Sequence, residues 1–215
     1  MDRLTPERPG AGPDRTANLL GALSLVIADR VADAITVIDG HSTSAATTLS
    51  ALYHFLDRPS IDLLRQVLGL TSSGTVRLID RLEVAGYVTR GPGRDGRTTT
   101  VALTSEGRRV AEQVSAARAT VLSKTLEAMS PDDRTRLDSI ASQLLVGMIR
   151  APGATRWICR VCDTQACGRD DGRCPVANAA KQGKGITRLD SSCLPPAAVT
   201  DILPPSPGDV PEVGP

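Results

Sequence analysis

The chain has 215 residues, enough for one ordinary domain with appendages. Its formal net charge of +1 gives no bulk attraction to polyanions, and Tyr53, Phe55, Tyr87 and Trp157 are too few aromatics for a surface that stacks single-stranded bases. No run approaches the roughly 18 apolar residues of a membrane helix, and Met1 to Arg15 lacks the apolar core of a leader, so the expectation is a cytoplasmic chain with no membrane partner.

Residues 1–15 hold three Pro and two Gly and read as a disordered arm. From Arg15 to Asp39, Leu20, Leu23, Ile27, Val31, Ala34 and Ile38 recur at helical spacing, and Gly40 ends that helix. A second helix is expected at about Ser44–Leu56, with Pro59 closing the connection. Ser60 caps a short third helix, Ile61 to Leu68, and Gly69 supplies a tight turn. Thr71 caps a fourth, which reaches Ala85 with Leu78, Ile79 and Leu82 inward. Gly86 is suited to the left-handed position after it.

Two β-type runs follow, Tyr87–Arg90 and Thr98–Leu103, around the basic turn Gly91-Pro92-Gly93-Arg94-Asp95-Gly96-Arg97. Thr104-Ser105-Glu106 opens a long fifth helix carrying Val110, Val114, Ala117, Val121 and Leu122. Ser130-Pro131-Asp132-Asp133 opens a sixth, whose stripe is Leu137, Ile140, Ala141, Leu144, Leu145 and Met148. Residues 194–215 include seven Pro and read as a disordered tail. The fold class is mostly α (α+β).

Helix, helix, Gly turn, helix and β-hairpin in that order form a winged helix-turn-helix, with the DNA-binding part at about 42–104. The fourth helix suits a major groove, and its N-terminal residues Ser72, Ser73, Val76 and Arg77 would meet base edges of double-stranded DNA. Arg94 and Arg97 stand at the wing tip, where phosphates or a minor groove are in reach. Residues 60–109 carry eight Arg against five acids, a local excess that the whole-chain charge conceals. The first, fifth and sixth helices (about 16–39 and 105–150) carry more apolar stripe than so small a domain covers alone. A two-fold homodimer on a pseudo-palindromic site is the expected solution.

Leu68-Gly69-Leu70-Thr71-Ser72-Ser73-Gly74-Thr75-Val76-Arg77-Leu78-Ile79-Asp80-Arg81-Leu82, with Arg94-Asp95-Gly96-Arg97 and Leu103-Thr104-Ser105-Glu106-Gly107, resembles the recognition helix and wing of MarR-family regulators over about residues 15–150. The resemblance implies a triangular dimer with interleaved terminal helices, a wing-tip arginine (Arg97) in the minor groove and an acid (Asp95) that orients it. It also implies repression relieved by a small-molecule effector, often phenolic or anionic. Gly74 and Thr75 depart from the family pattern, since Gly costs about 1 kcal/mol of helix propensity and an apolar residue is commoner at the second position. No Cys lies near the first helix, so the family's N-terminal peroxide-sensing cysteine is absent. His41 and His54 read as structural or exposed.

Residues 155–180 form a Cys-rich segment. Cys159, Cys162, Cys167 and Cys174 follow the spacing C-x2-C-x4-C-x6-C, which is neither a zinc ribbon nor a ferredoxin. The competing readings are a structural zinc knuckle, a metal or redox sensor (an iron–sulfur cluster being the alternative to zinc), and free thiols or an accessory disulfide. Arg160, Arg169 and Arg173 would favour the thiolate forms. Cys193 is unassigned. A Gly-rich phosphate loop and a Ser-His-acid set are both missing, so the reading is not an enzyme. The alternative to a DNA-binding regulator is a metal-binding protein-interaction module that uses its winged helix without DNA.

Overall fold

A computed structural model describes residues 14–36, 42–93, 96–149 and 154–182. Residues 1–13 of the proposed arm, the proposed tail, the expected end of the first helix at 37–40, His41, and the wing-tip residues Arg94 and Asp95 lie outside the described residues, as does Cys193, while Arg15 of the proposed arm already belongs to the first helix. The elements run α1 (Arg15–Thr36), α2 (Thr43–His54), α3 (Ile61–Leu68), α4 (Ser72–Val84), β1 (Val88–Pro92), β2 (Thr99–Leu103), α5 (Ser105–Leu126), α6 (Pro131–Gly147), α7 (Ala154–Ile158) and α8 (Pro175–Lys181). This is the mostly helical, two-stranded arrangement expected from the sequence.

Five helix starts share one device, in which a Ser or Thr hydroxyl accepts from an amide three residues on. Ser42, Ser60, Thr71, Thr104 and Ser130 cap α2 to α6 in this way. Gly69 stops α3 in the left-handed region at φ 67°, where a side chain would be strained. The helix over 44–56 ends earlier than expected. Phe55 leaves helical geometry (φ −154°), although Leu56 beyond it is still buried.

Leu49, Leu64, Leu78, Ile79, Val101 and Val110 are fully buried, so α2, α3, α4, β2 and the first turns of α5 share one core. β1 and β2 are antiparallel, with Val88 opposite Leu103 and Pro92 opposite Thr99. β1 runs two residues past its expected end because pairing with β2 continues through Gly91 and Pro92. On its other side β2 meets the chain just before α3: Ser60 bridges Thr100, and the Val101 amide donates to the Pro59 carbonyl at 3.0 Å.

The hairpin is tied to α5 by a close backbone approach. The Thr104 amide donates to the Tyr87 carbonyl at 3.0 Å. Its hydroxyl donates to the Gly86 carbonyl at 2.6 Å and accepts from the Gly107 amide at 2.9 Å. A Cβ on Gly107 would stand 1.8 Å from the Tyr87 carbonyl oxygen.

α1 and α6 differ from the other long helices. Leu19, Leu20, Leu23, Leu25 and Val26 of α1 are exposed, Leu25 at 67%. No residue of α6 is buried, and Leu137, Ile140, Leu144 and Leu145 face outward. A second cluster forms beyond α6, where Ile149, Cys159, Cys174, Val176, Ala177 and Ala179 are buried together.

Gly107→Ala should lower stability by about 3 kcal/mol in urea denaturation, because the contact is with backbone, which cannot rotate away. A loss under about 0.5 kcal/mol would show that the approach is not as close as described.

Candidate nucleic-acid interface

α4 presents two faces. Thr75, Leu78, Ile79 and Leu82 are buried, whereas Ser72, Ser73, Val76 and Arg77 are exposed. The two departures from the family pattern are explained at its cap. The Thr71 hydroxyl accepts from the Gly74 amide at 3.1 Å, and a Cβ on Gly74 would lie 2.9 Å from that same oxygen. Thr75 is fully buried yet satisfied, because its hydroxyl donates to the Thr71 carbonyl at 2.9 Å. Both residues serve the tight first turn from which the exposed quartet projects.

The wing is anchored to the outer side of α4 by Arg90 on β1. Its guanidinium pairs with Glu83 and, at 2.5 Å, with Asp80, while its amide donates to Glu83 at 3.2 Å. These carboxylates, the hydrogen bond to Asp80 first, hold the guanidinium above its ordinary pKa against partial burial. Arg90 is thus structural, and so are other members of the basic excess. Arg65 pairs with Asp62 at 2.9 Å, Arg109 pairs with Glu106 at 2.5 Å, and Arg108 lies 5.7 Å from the Tyr53 ring centroid.

Arg77 and Arg81 are exposed and have no ion-pair partner among the described residues. Arg81 was not singled out from the sequence. Its signal was there: it follows Arg77 by four residues, one helical turn along the same side. Arg97 is exposed at the start of the return limb of the wing.

An apolar cleft of about 500 Å³ opens between α1, α2 and α5. Leu23, Ile27 and Val31 of α1 face Val114 of α5 across it, and Arg118, Arg160 and Val161 also line it. The sequence did not mark this cleft, because its walls are ordinary helix-stripe residues. Two come from the Cys159–Cys162 turn, which is remote in sequence.

The four cysteines converge on the second cluster, Cys159 and Cys174 buried and Cys162 and Cys167 packed against them. The cysteines neighbour one another in pairs, Cys159 with Cys162 and Cys167 with Cys174, and the Cys167 thiol donates to the Thr164 carbonyl at 3.5 Å. The neighbouring Cys159 draws the Cys162 thiol down to about 6, with Arg118, Arg169 and Arg160 helping against burial. Cys159 is pushed up correspondingly. Among the described residues, no three His, Cys, Asp or Glu side chains already surround a point as metal ligands would. His54 is half-buried beside this segment, bonded to the Ser115 hydroxyl at 3.0 Å and 3.9 Å from Asp163; burial lowers its pKa.

Residues 40–98 match the model of the MarR family. The structure is similar to RV1404 from Mycobacterium tuberculosis, at 27% identity and TM-score 0.54, over 65% of this chain and 96% of that one. It is also similar to a MarR-family transcriptional regulator from Rhodococcus sp. RHA1, at 20% identity and TM-score 0.52, over 63% and 96%. A third is MepR, a transcription regulator of the Staphylococcus aureus multidrug efflux pump MepA, at 17% identity and TM-score 0.53, over 60% and 95%. A comparison with curated protein sequences found no match. The winged helix over these residues is similar to that of the MarR family, as the resemblance implied, and the Cys-rich segment lies beyond the matched residues. Among the described residues no helix is long and apolar enough to cross a membrane.

The two kinds of arginine should separate by stability. Arg90→Ala should cost about 1 kcal/mol in urea denaturation, and the exposed Arg77→Ala less than about 0.5 kcal/mol. Equal losses would contradict the anchoring role of Arg90.

Proposed function

We propose that the chain is a non-enzymatic transcription regulator of the cytoplasm that binds a pseudo-palindromic operator in double-stranded DNA as a homodimer and represses from it. The observation that carries this reading is the exposed face of α4. Ser72, Ser73, Val76 and Arg77 project from a helix whose opposite face is fully buried and whose flank is anchored to the wing by Arg90. Hydroxyls, a small apolar group and a guanidinium are the chemistry that reads base edges in a major groove. Arg81 extends the basic side toward the phosphates, and the wing, with Arg94, Asp95 and Arg97, reaches the neighbouring groove.

The apolar faces of α1 and α6 support the dimer. Solvent-facing apolar side chains such as Leu19 and Leu25 of α1 and Ile140 of α6 are costly in a monomer, and a second copy offers the same groups in return. The cleft between α1, α2 and α5 suits a small effector, apolar in body and anionic at one end, with Arg118 and Arg160 to receive the charge. Part of its wall is α1, so a bound effector is placed to alter the spacing of the two recognition helices.

Duplex binding should weaken steeply with salt as counterions are released. Arg77→Ala should weaken binding to the preferred duplex by about 1–3 kcal/mol and relax sequence preference, while Arg97→Ala should weaken binding to all duplexes alike. Unchanged duplex affinity in both variants, measured by fluorescence anisotropy at low salt, overturns the assignment. In sedimentation at micromolar concentration the chain should run as a dimer and Ile140→Asp as a monomer. A monomeric parent chain would remove the two-fold operator from the reading.

A further inference from the structure

The Cys-rich segment is built as a site and placed as a brace. Its backbone folds into consecutive tight turns: the Cys162 amide donates to the Cys159 carbonyl at 2.9 Å, and the Arg173 amide to the Gly168 carbonyl at 2.8 Å. Gly168 and Gly172 take the left-handed conformations those turns require, at φ 62° and 70°. Cys174 caps α8, its sulfur accepting from the Ala177 amide at 3.5 Å. Pairs alone would satisfy two disulfides. Here the pairs also adjoin each other, Cys159 lying close enough to Cys174, and Cys167 to Cys162, for their charges to interact.

We infer that Cys159, Cys162, Cys167 and Cys174 form one intrachain site for a single thiophilic divalent cation, of which zinc is the natural choice. Four cysteine sulfurs in one small cluster, two from a C-x-x-C turn, are the donor set of a tetrahedral thiolate site. Loading replaces every thiol proton still present: each such S–H bond breaks as a sulfur–metal bond forms and its proton passes to solvent, while a sulfur already ionised binds without release. Among the described residues no three such donors are already grouped as metal ligands, so loading requires the cysteine side chains to turn toward a common point. The loaded site carries a net charge of −2, and the positive charges of Arg118, Arg160 and Arg169 lie near enough to Cys162 to offset it. The Ala177 amide already aims at the Cys174 sulfur, as amide donors do at thiolate ligands.

Once loaded, the site fixes a segment that touches both halves of the molecule. Trp157 lies against Gly69 in the turn of the helix-turn-helix, its indole nitrogen 3.7 Å from where a Cβ would stand. The Thr164 hydroxyl donates to the His54 carbonyl at the end of α2 at 3.2 Å. α8 packs on α6. The site is argued from this segment alone and stands whether or not the chain binds DNA.

The test uses the full chain, purified reduced and without chelator. Elemental analysis should find one zinc per chain. Replacement by cobalt(II) should give the intense red-region bands of a tetrahedral site and thiolate-to-cobalt charge transfer in the near ultraviolet. Cys167→Ser and Cys174→Ser should each lose that charge-transfer pattern, and Cys193→Ser should keep it. Metal removal should raise hydrogen exchange in 157–179 and at the turn around Gly69. The inference is overturned by reduced protein that takes up neither zinc nor cobalt, by about half a metal per chain, by iron with acid-labile sulfide, or by a Cys159–Cys162 disulfide in a metal-free chain.

Discussion

The approach of α5 to the Tyr87 carbonyl governs the placement of the wing relative to the exposed face of α4. Gly107 allows it, and Thr104 secures it from both sides by bonding to Gly86 and Gly107. β1 leaves Tyr87 in a fixed direction as a result, and β2 returns to the same junction. The hairpin cannot hinge at its root without breaking buried backbone contacts. α4 ends at Val84 with its cap at Ala85, two residues before Tyr87, so wing and helix share a single pivot. Arg90 then spans the two, joining β1 to Asp80 and Glu83 on α4. A common root and a cross-brace hold the two elements in one relation, which would lower the ordering cost of any ligand they bind together.

Charge at this head is divided by role. Of the eight arginines in 60–109, Arg65, Arg90 and Arg109 are matched to carboxylates, and Arg108 leans on Tyr53. Arg77 and Arg81 remain on the open side of α4. A net charge of +1 says little about such a surface, because an acid that positions an arginine lowers the sum while improving the site. Exposed arginines do more for phosphate binding when their neighbours' charges are already neutralised within the protein, since the remaining field then has a definite direction.

The helices, turns and hairpin were legible because short-range chemistry decides them. Ser60, Thr71, Thr104 and Ser130 each sit one residue before a helix and cap it, and Gly69 takes the conformation only glycine adopts cheaply. The exposed face of α4 was legible for the same reason, since helical spacing separates Ser72, Ser73, Val76 and Arg77 from the buried side. Errors arose where long-range packing decides. Leu56 is buried without being helical, which carried the apolar pattern past the end of α2. Gly91 and Pro92 look like turn residues but pair with Thr100 and Thr99, because register with β2 outweighs their local preference. α8 was missed although Pro175 stands at its first turn, a helix-start signal that coincides with a Cys-Pro suggestive of a ligand. Periodicity also foresaw that α6 has an apolar face without showing what covers it; in one chain, that face is open.

The Cys-rich segment gains meaning from what it touches. A short appendix with two small helices of five and seven residues has too little core to hold itself in place. Its own buried residues are few, chiefly Val176, Ala177 and Ala179 besides two cysteines, with Ile149 from just after α6 packed among them. Yet it spans from Gly69 in the helix-turn-helix to α6, and it supplies Arg160 and Val161 to the cleft between α1, α2 and α5. A segment with so little hydrophobic stabilisation is ordered or loosened by whatever acts on its thiols. The α3–α4 turn, the cleft wall and the end of α6 would all respond to that one event. Coupling between them needs no long pathway, because the three regions share a single small body as a neighbour.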